Sequence, residues 1–168
     1  MSREIKFRGK SIQEGQWVYG SAILDYEEKI AYIENMGNGP VPVEWESVGQ
    51  YTGLMDVEQF NEPKDLYTAD IVTMHQFLFD GTEYENEITG VLEYDEELAC
   101  VCLTKIKQKD IQKHMGYEDD QDGFEGEKVP VCNFHGLHEC SWTYLGNIYE
   151  NKDLLEATNG AAVPPIAD

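Results

Sequence analysis

The densest group of reactive side chains is Cys132-Asn-Phe-His135-Gly-Leu-His138-Glu-Cys140. Two thiols and two imidazoles within nine residues are ligands of the kind Zn²⁺ takes tetrahedrally. The spacing argues against that use. Structural zinc sites usually draw on two separated pairs, so that the ion ties two segments together. The competing reading is a surface loop carrying two histidines and two half-buried thiols. The acidic stretch Tyr117 to Glu127 raises a calcium reading, with Glu118, Asp120, Asp122 and Gly123 on positions one, three, five and six of an EF-hand loop. Position twelve would be Val129, where such a loop needs a bidentate Glu, so a solvated loop is the simpler expectation. Cys100 and Cys102 share one face of a strand and read as small apolar fillers. There is no Gly-x-Ser-x-Gly elbow and no P-loop, and no third group orients a Cys/His pair. No catalytic residue, cofactor or enzymatic activity is expected.

Nine aromatics fall on or beside expected strands: Trp17, Tyr19, Trp45, Tyr51, Tyr67, Tyr94, Trp142, Tyr144 and Tyr149. Most should be core. An exposed subset would suit a protein partner, because aromatics concentrate at binding hot spots. Tyr94, Trp142 and Tyr144 are the first candidates.

The elements that must position these groups are mostly strands. Ile5-Lys6-Phe7-Arg8 alternates apolar and charged residues, and Trp17 to Leu24 is rich in aromatic and β-branched types, which together suggest an antiparallel hairpin. Lys29 to Ile33 supplies a third strand. Pro42 to Trp45 reads as an edge strand, since Pro is tolerated there, and Val48 to Leu54 as another strand. Residues 55–65 have no period and read as a connection. Asp70 should lie in a turn, with Ile71 and Val72 starting a strand. Glu87 to Asp95 and Leu98 to Leu103 form the clearest hairpin. Thr104 to Gly116 is consistent with a short helix stopped by Gly116. Tyr144 to Glu150 reads as the last strand, followed by a helical turn or two over 152–158 with Asn151 as its cap. The expectation is a mainly β chain: an N-terminal antiparallel segment over 1–54, a second unit over 66–158 with an acidic loop insertion at 117–127, and a disordered tail at 159–168.

The 168 residues carry 33 Asp/Glu against 12 Lys/Arg, a net charge of −21. Residues 1–64 hold a net −5 and residues 65–168 a net −16. Such a surface repels duplex phosphates, which argues against direct nucleic-acid binding. Solubility is the plain reading of the charge. The sharper one is mimicry of a phosphate array by Asp80, Glu83, Glu85 and Glu87, which would block a host nucleic-acid-binding protein. No run of about 18 apolar residues is present, so no membrane span is expected. The opening residues have no apolar leader segment, which argues against secretion.

Five blocks carry a family resemblance. They are Arg3-Glu-Ile-Lys-Phe-Arg-Gly-Lys10 with Gly15-Gln-Trp-Val-Tyr-Gly20, then Val48-Gly-Gln-Tyr-Thr-Gly-Leu54, Leu66-Tyr-Thr-Ala-Asp-Ile-Val72, Gly90-Val-Leu-Glu-Tyr-Asp95 and Leu145-Gly-Asn-Ile-Tyr-Glu-Asn151. In this order they resemble the YopX family of phage and prophage proteins. The resemblance implies a mostly β fold with an SH3-like small β-barrel in the second half, and a phage or prophage origin; with neither leader nor span expected, the cytoplasm of a bacterial host cell is the expected location. It implies no activity. The family usually has Tyr-Glu-Gly-Asp-Ile-Val where this chain has Tyr67-Thr-Ala-Asp-Ile-Val72, so the turn there loses its Gly and is expected to change shape. The function expected is that of a non-enzymatic module that binds a protein partner or assembles, with a homo-oligomer as one form of assembly.

Overall fold

The β-branched and aromatic runs form strands throughout. In the computed structural model the described residues are 4–35, 37, 39–56, 63–79, 83–108, 128–135 and 140–156. For 76–79, 83–87, 108, 135 and 156 the backbone alone is described. The first sheet has six strands: β1 (Phe7–Lys10), β2 (Trp17–Asp25), β3 (Ile30–Asn35), β4 (Gly39–Val43), β5 (Gly49–Asp56) and β6 (Lys64–Tyr67), in the order β4-β3-β2-β1-β5-β6. β2 changes partner midway. Its first half pairs with β1, from Lys10↔Trp17 to Phe7↔Gly20, and its second with β3, from Ser21↔Glu34 to Asp25↔Ile30. Gly20 makes the corner. A Cβ there would stand 2.0 Å from the Glu34 carbonyl oxygen, closer than any side chain can come.

β4 carries Pro40 and Pro42 at positions whose missing N–H would point away from β3, as an edge strand requires. Its end curls back to β1. Ser11 and Val43 form a single bridge, Ile12 N–H donates to the Pro42 carbonyl at 3.1 Å, and Glu44 N–H to the Lys10 carbonyl at 2.9 Å. Gly9 lies beneath, because a Cβ there would be 2.7 Å from Val43 Cγ2. The curl encloses Ala31, Ile33 and Val43, with Phe7, Val18, Leu24, Trp45 and Val48 packed around them.

The second sheet contains β7 (Asp70–Phe79), β8 (Glu83–Asp95), β9 (Cys100–Gln108), β10 (Val129–Pro130) and β11 (Cys140–Asn147), in the order β10-β9-β8-β7-β11. Every pairing is antiparallel. One face buries Val72, Met74, Ile88, Leu92, Leu103, Ile106, Phe134 and Trp142. Leu66 of β6 joins that core and Leu54 of β5 packs on it, so the first sheet supplies part of the lid.

That lid bears on the SH3-like expectation. Among the described residues the second sheet is open, with β10 and β11 as its edges and no ladder between them. Its apolar face is covered by the β5–β6 hairpin rather than by closure. The helix expected over 104–116 is also corrected, because β9 continues through Gln108. A register shift lies opposite Thr89–Val91, and Lys105 there has φ 51°. This bulge puts Leu103 and Ile106 on the core face three residues apart, a spacing that imitates helical periodicity. Residues 109–116 of that expectation, the acidic insertion at 117–127 and the tail at 159–168 lie outside the described residues.

Three other positions differ from expectation: Asp70 opens β7 instead of lying in the turn before it, Trp45 begins a 3-10 turn instead of ending the edge strand, and Lys64 and Asp65 pair with β5 where a connection was expected. The last strand begins earlier, at Cys140, and a single helical turn α1 (Asp153–Glu156) follows. The Asn151 side chain accepts from Asn147 N–H at 3.2 Å, binding the end of β11. The turn expected to change shape before β7 keeps its left-handed residue: Ala69 has φ 73°. No helix among the described residues is long and apolar enough to cross a membrane.

Candidate functional site

The strongest electrostatic feature joins the two sheets. Arg8, from the middle of β1, reaches Asp70, the first residue of β7. Arg8 Nη1 stands 2.6 Å from Asp70 Oδ1, with the two side chains 3% and 0% exposed. Arg8 Nη2 also donates to the Thr68 carbonyl at 3.3 Å, and Tyr67 N–H donates to Asp70 Oδ2 at 2.8 Å. The Trp17 and Tyr67 rings lie 4.7 and 5.1 Å from Arg8 Cζ. A guanidinium is weakly hydrated and planar, so aromatic faces can replace part of its water. Arg8 Nε is buried without an acceptor among the described residues, a residual cost of the arrangement.

Burial pushes the Asp70 carboxyl above its ordinary range, and the Arg8 charge and the Tyr67 N–H pull it only part of the way back. Tyr67 is pushed up to about 12, by burial first and then by the charge of Asp65. Its ring contacts Tyr19 at 5.6 Å and Tyr51 at 5.8 Å. The pair is thus sealed on all the sides its partners cover. A guanidinium so committed is suited to tying β1 to β7.

A second set of bonds runs along the seam. Trp17 Nε1–H donates to Glu150 Oε1 at 3.0 Å, and Asn147 Nδ2–H donates to Glu150 Oε2 at 3.1 Å. Asn147 Oδ1 accepts from Tyr149 N–H and Glu150 N–H at 3.0 and 3.1 Å. Burial alone would raise the Glu150 carboxyl, but these hydrogen bonds and the Lys10 ammonium hold it below its usual value. Asp56 Oδ2 accepts from Tyr144 N–H at 2.9 Å. Lys64 Nζ sits 3.2 Å from the centroid of the Tyr144 ring, and burial lowers its pKa.

The three aromatic candidates are not brought together. Trp142 is 3% exposed and packs edge-on against Phe134 in the second core. Tyr144 is half-buried beneath Lys64. Tyr94, at 54% exposed, stands at the far end of β8. Of the zinc candidates, Cys132 is exposed in a 3-10 turn and Cys140 is half-buried at the start of β11. The His135 side chain and His138 lie outside the described residues, and among those described no three His, Cys, Asp or Glu side chains converge on a metal position. Asp80 and the side chains of Glu83, Glu85 and Glu87 are likewise outside it, as is the calcium candidate from Glu118 to Gly123. Cys102 is buried and Cys100 half-buried, their sulfurs 3.8 Å apart. Burial and the neighbouring Cys100 push the Cys102 thiol up to about 11.

Two features carry little local signal in the sequence. One is the Arg8–Asp70 pair, whose only signal was that both residues stand inside resemblance blocks. The other is an exposed apolar face on the first sheet. Ile23 pairs with Tyr32, and Tyr32 with Pro42, in one row across β2, β3 and β4. Tyr19 and Ile30 lie on the same face by strand alternation, and Tyr19, Ile23, Ile30 and Tyr32 are all exposed. Toward β1, the same side of the sheet becomes the aromatic shell around Arg8. Beside this face, a groove of about 500 Å³ opens between the start of β2 and β4.

A family model described as YopX protein matches residues 6–156. No curated protein and no solved structure matches the chain.

Proposed function

Because this chain belongs to the YopX family, we propose that it is a phage-type, non-enzymatic binding module that engages a protein partner through the outer face of β2, β3 and β4. The supporting observation is the Ile23–Tyr32–Pro42 row, with Tyr19 and Ile30 beside it. Single exposed apolar residues are ordinary, but the adjoining Ile23, Tyr32, Pro42 and Ile30, bordered on the same face by Ser21, Asp25 and Glu34, form a small apolar patch with a polar rim, as interaction surfaces do. Aromatic residues supply large contact area at small entropic cost, and this face offers two tyrosines on rigid strands. The strongly acidic chain favours a partner of opposite charge and disfavours a second copy of itself.

Affinity capture from a bacterial lysate tests the proposal. The native chain, the Ile23→Glu/Tyr32→Glu chain and a Tyr94→Glu control are compared. The expected result is a retained protein that the double variant loses and the control keeps, with capture surviving moderate salt. Equal capture by all three would refute the assignment of the face. Steep loss with salt in every chain would assign binding to the acidic surface instead.

A further inference from the structure

We infer that the groove between β2 and β4 takes a short extended segment of a partner, alternating apolar and cationic side chains, which adds as a strand to the free edge of β2. The inference rests on the binding-module reading and names the partner chemistry. It follows from the direction of backbone groups. Ser11 N–H donates to the Gln16 carbonyl at 2.8 Å, which fixes the alternation of the β1–β2 ladder. Val18 and Gly20 therefore turn their N–H and C=O toward β1. Trp17 and Tyr19 turn theirs away from it, into the groove. Among the described residues no strand pairs with that side of Trp17–Tyr19, because β3 takes over only from Ser21.

The opposite wall cannot close the gap. β4 presents Pro40 and Pro42 there, which have no N–H, and the Pro42 carbonyl is already used by Ile12 N–H. Among the described residues, the outward N–H and C=O groups of Trp17 and Tyr19 have no strand partner and border a space of about 500 Å³. This is the arrangement that strand addition uses: main-chain bonds give affinity and alternate pockets give specificity. Side chains pointing inward would meet Val18 and Val41, which line the groove on the core side of their strands. Side chains pointing outward would meet Tyr19 and Glu14. Among the described residues Glu14 is the only charged one lining the groove and none lining it is basic, on a chain of net charge −21. Lysine or arginine at the outward positions is complementary to that wall.

The test uses the full chain, isotope-labelled for amide NMR, and an acetylated, amidated Val-Lys-Val-Lys-Val peptide. The Trp17 and Tyr19 amides are expected to shift and to exchange more slowly with solvent as the peptide binds. Methylating the two peptide nitrogens that face β2 removes two hydrogen bonds and should weaken binding about tenfold. The Val-Glu-Val-Glu-Val counterpart should bind at least about tenfold more weakly, and Glu14→Lys should narrow that difference. Unmoved Trp17 and Tyr19 amides at the highest peptide concentration, or equal binding of the acidic peptide, would overturn the inference. Failure of the binding-module reading is seen separately, in unchanged capture by the Ile23→Glu/Tyr32→Glu chain. Failure of the groove alone leaves that capture lost while the two amides stay unmoved.

Discussion

Replacing Asp70 with Asn isolates the charge at the junction of the sheets. Asn is the same size, and its carbonyl oxygen can still accept the Tyr67 N–H that Asp70 holds at 2.8 Å. What disappears is the counter-charge 2.6 Å from an Arg8 side chain that is 3% exposed. Breaking one side of a buried pair leaves an uncompensated charge and costs about 3–5 kcal/mol. The Trp17 and Tyr67 rings soften this but carry no full negative charge, so the lower figure, about 3 kcal/mol, is expected. For a chain of this length each kcal/mol moves the melting temperature by about 2–4 °C, which makes a fall of about 6–12 °C. Urea unfolding followed by circular dichroism reads it directly: the midpoint should drop while the slope stays constant. Removing both charges, as Arg8→Met with Asp70→Leu, should restore at least half of the loss, since buried pairs seldom outperform packed apolar groups. A loss below about 1 kcal/mol for Asp70→Asn, or a double variant no better than the single one, would refute the claim that this pair governs the junction.

Three further outcomes follow from local geometry. Ala69→Gly should stabilise the chain by about 0.5–1 kcal/mol in the same urea assay, because relief of a left-handed alanine, about 1–2 kcal/mol, outweighs a buried methyl of up to about 0.8. Gly20→Ala should destabilise by about 3 kcal/mol or prevent folding, since its Cβ would meet the Glu34 carbonyl oxygen at 2.0 Å; a melting temperature within about 2 °C of native would show the corner to be soft. Glu150 has its carboxyl held below the ordinary 4.5, so its contribution is present above that value and is lost as pH falls through the folded-state value. Glu150→Gln should therefore show a smaller drop in urea midpoint between about pH 6 and about pH 3.5 than the native chain, and an identical drop would remove Glu150 from the acid response.

Strand content was readable because alternation is a local signal. β1, β2, β3 and the β8–β9 hairpin all follow from period-two patterns, turn residues and β-branched runs. The edge character of β4 was readable from Pro42, but its bounds were not: Gly39 and Pro40 look like chain breakers yet open the strand, and Trp45 falls in a 3-10 turn beyond it. The β9 bulge was not, since a register shift turns alternation into a three-residue spacing. Nor was the way the second core is covered. Leu66 looks like any strand leucine, and nothing local says that it crosses to the other sheet. Arg8 reads as the polar member of an alternating strand, so its burial depends on Asp70, sixty-two positions later in the chain. The aromatics illustrate the same limit. Composition marks Trp142 and Tyr19 equally, yet one packs against Phe134 and the other faces outward.

If a partner sits on the outer face of β2, β3 and β4, residues on that face must come within crosslinking reach of it. Placing the photo-crosslinking residue benzoylphenylalanine at Tyr32, and separately at Tyr94, and irradiating in bacterial cells tests it at residue level. A discrete crosslinked species is expected from position 32 and none from position 94. Crosslinks from position 94 alone, or from neither position, would contradict this placement of the partner.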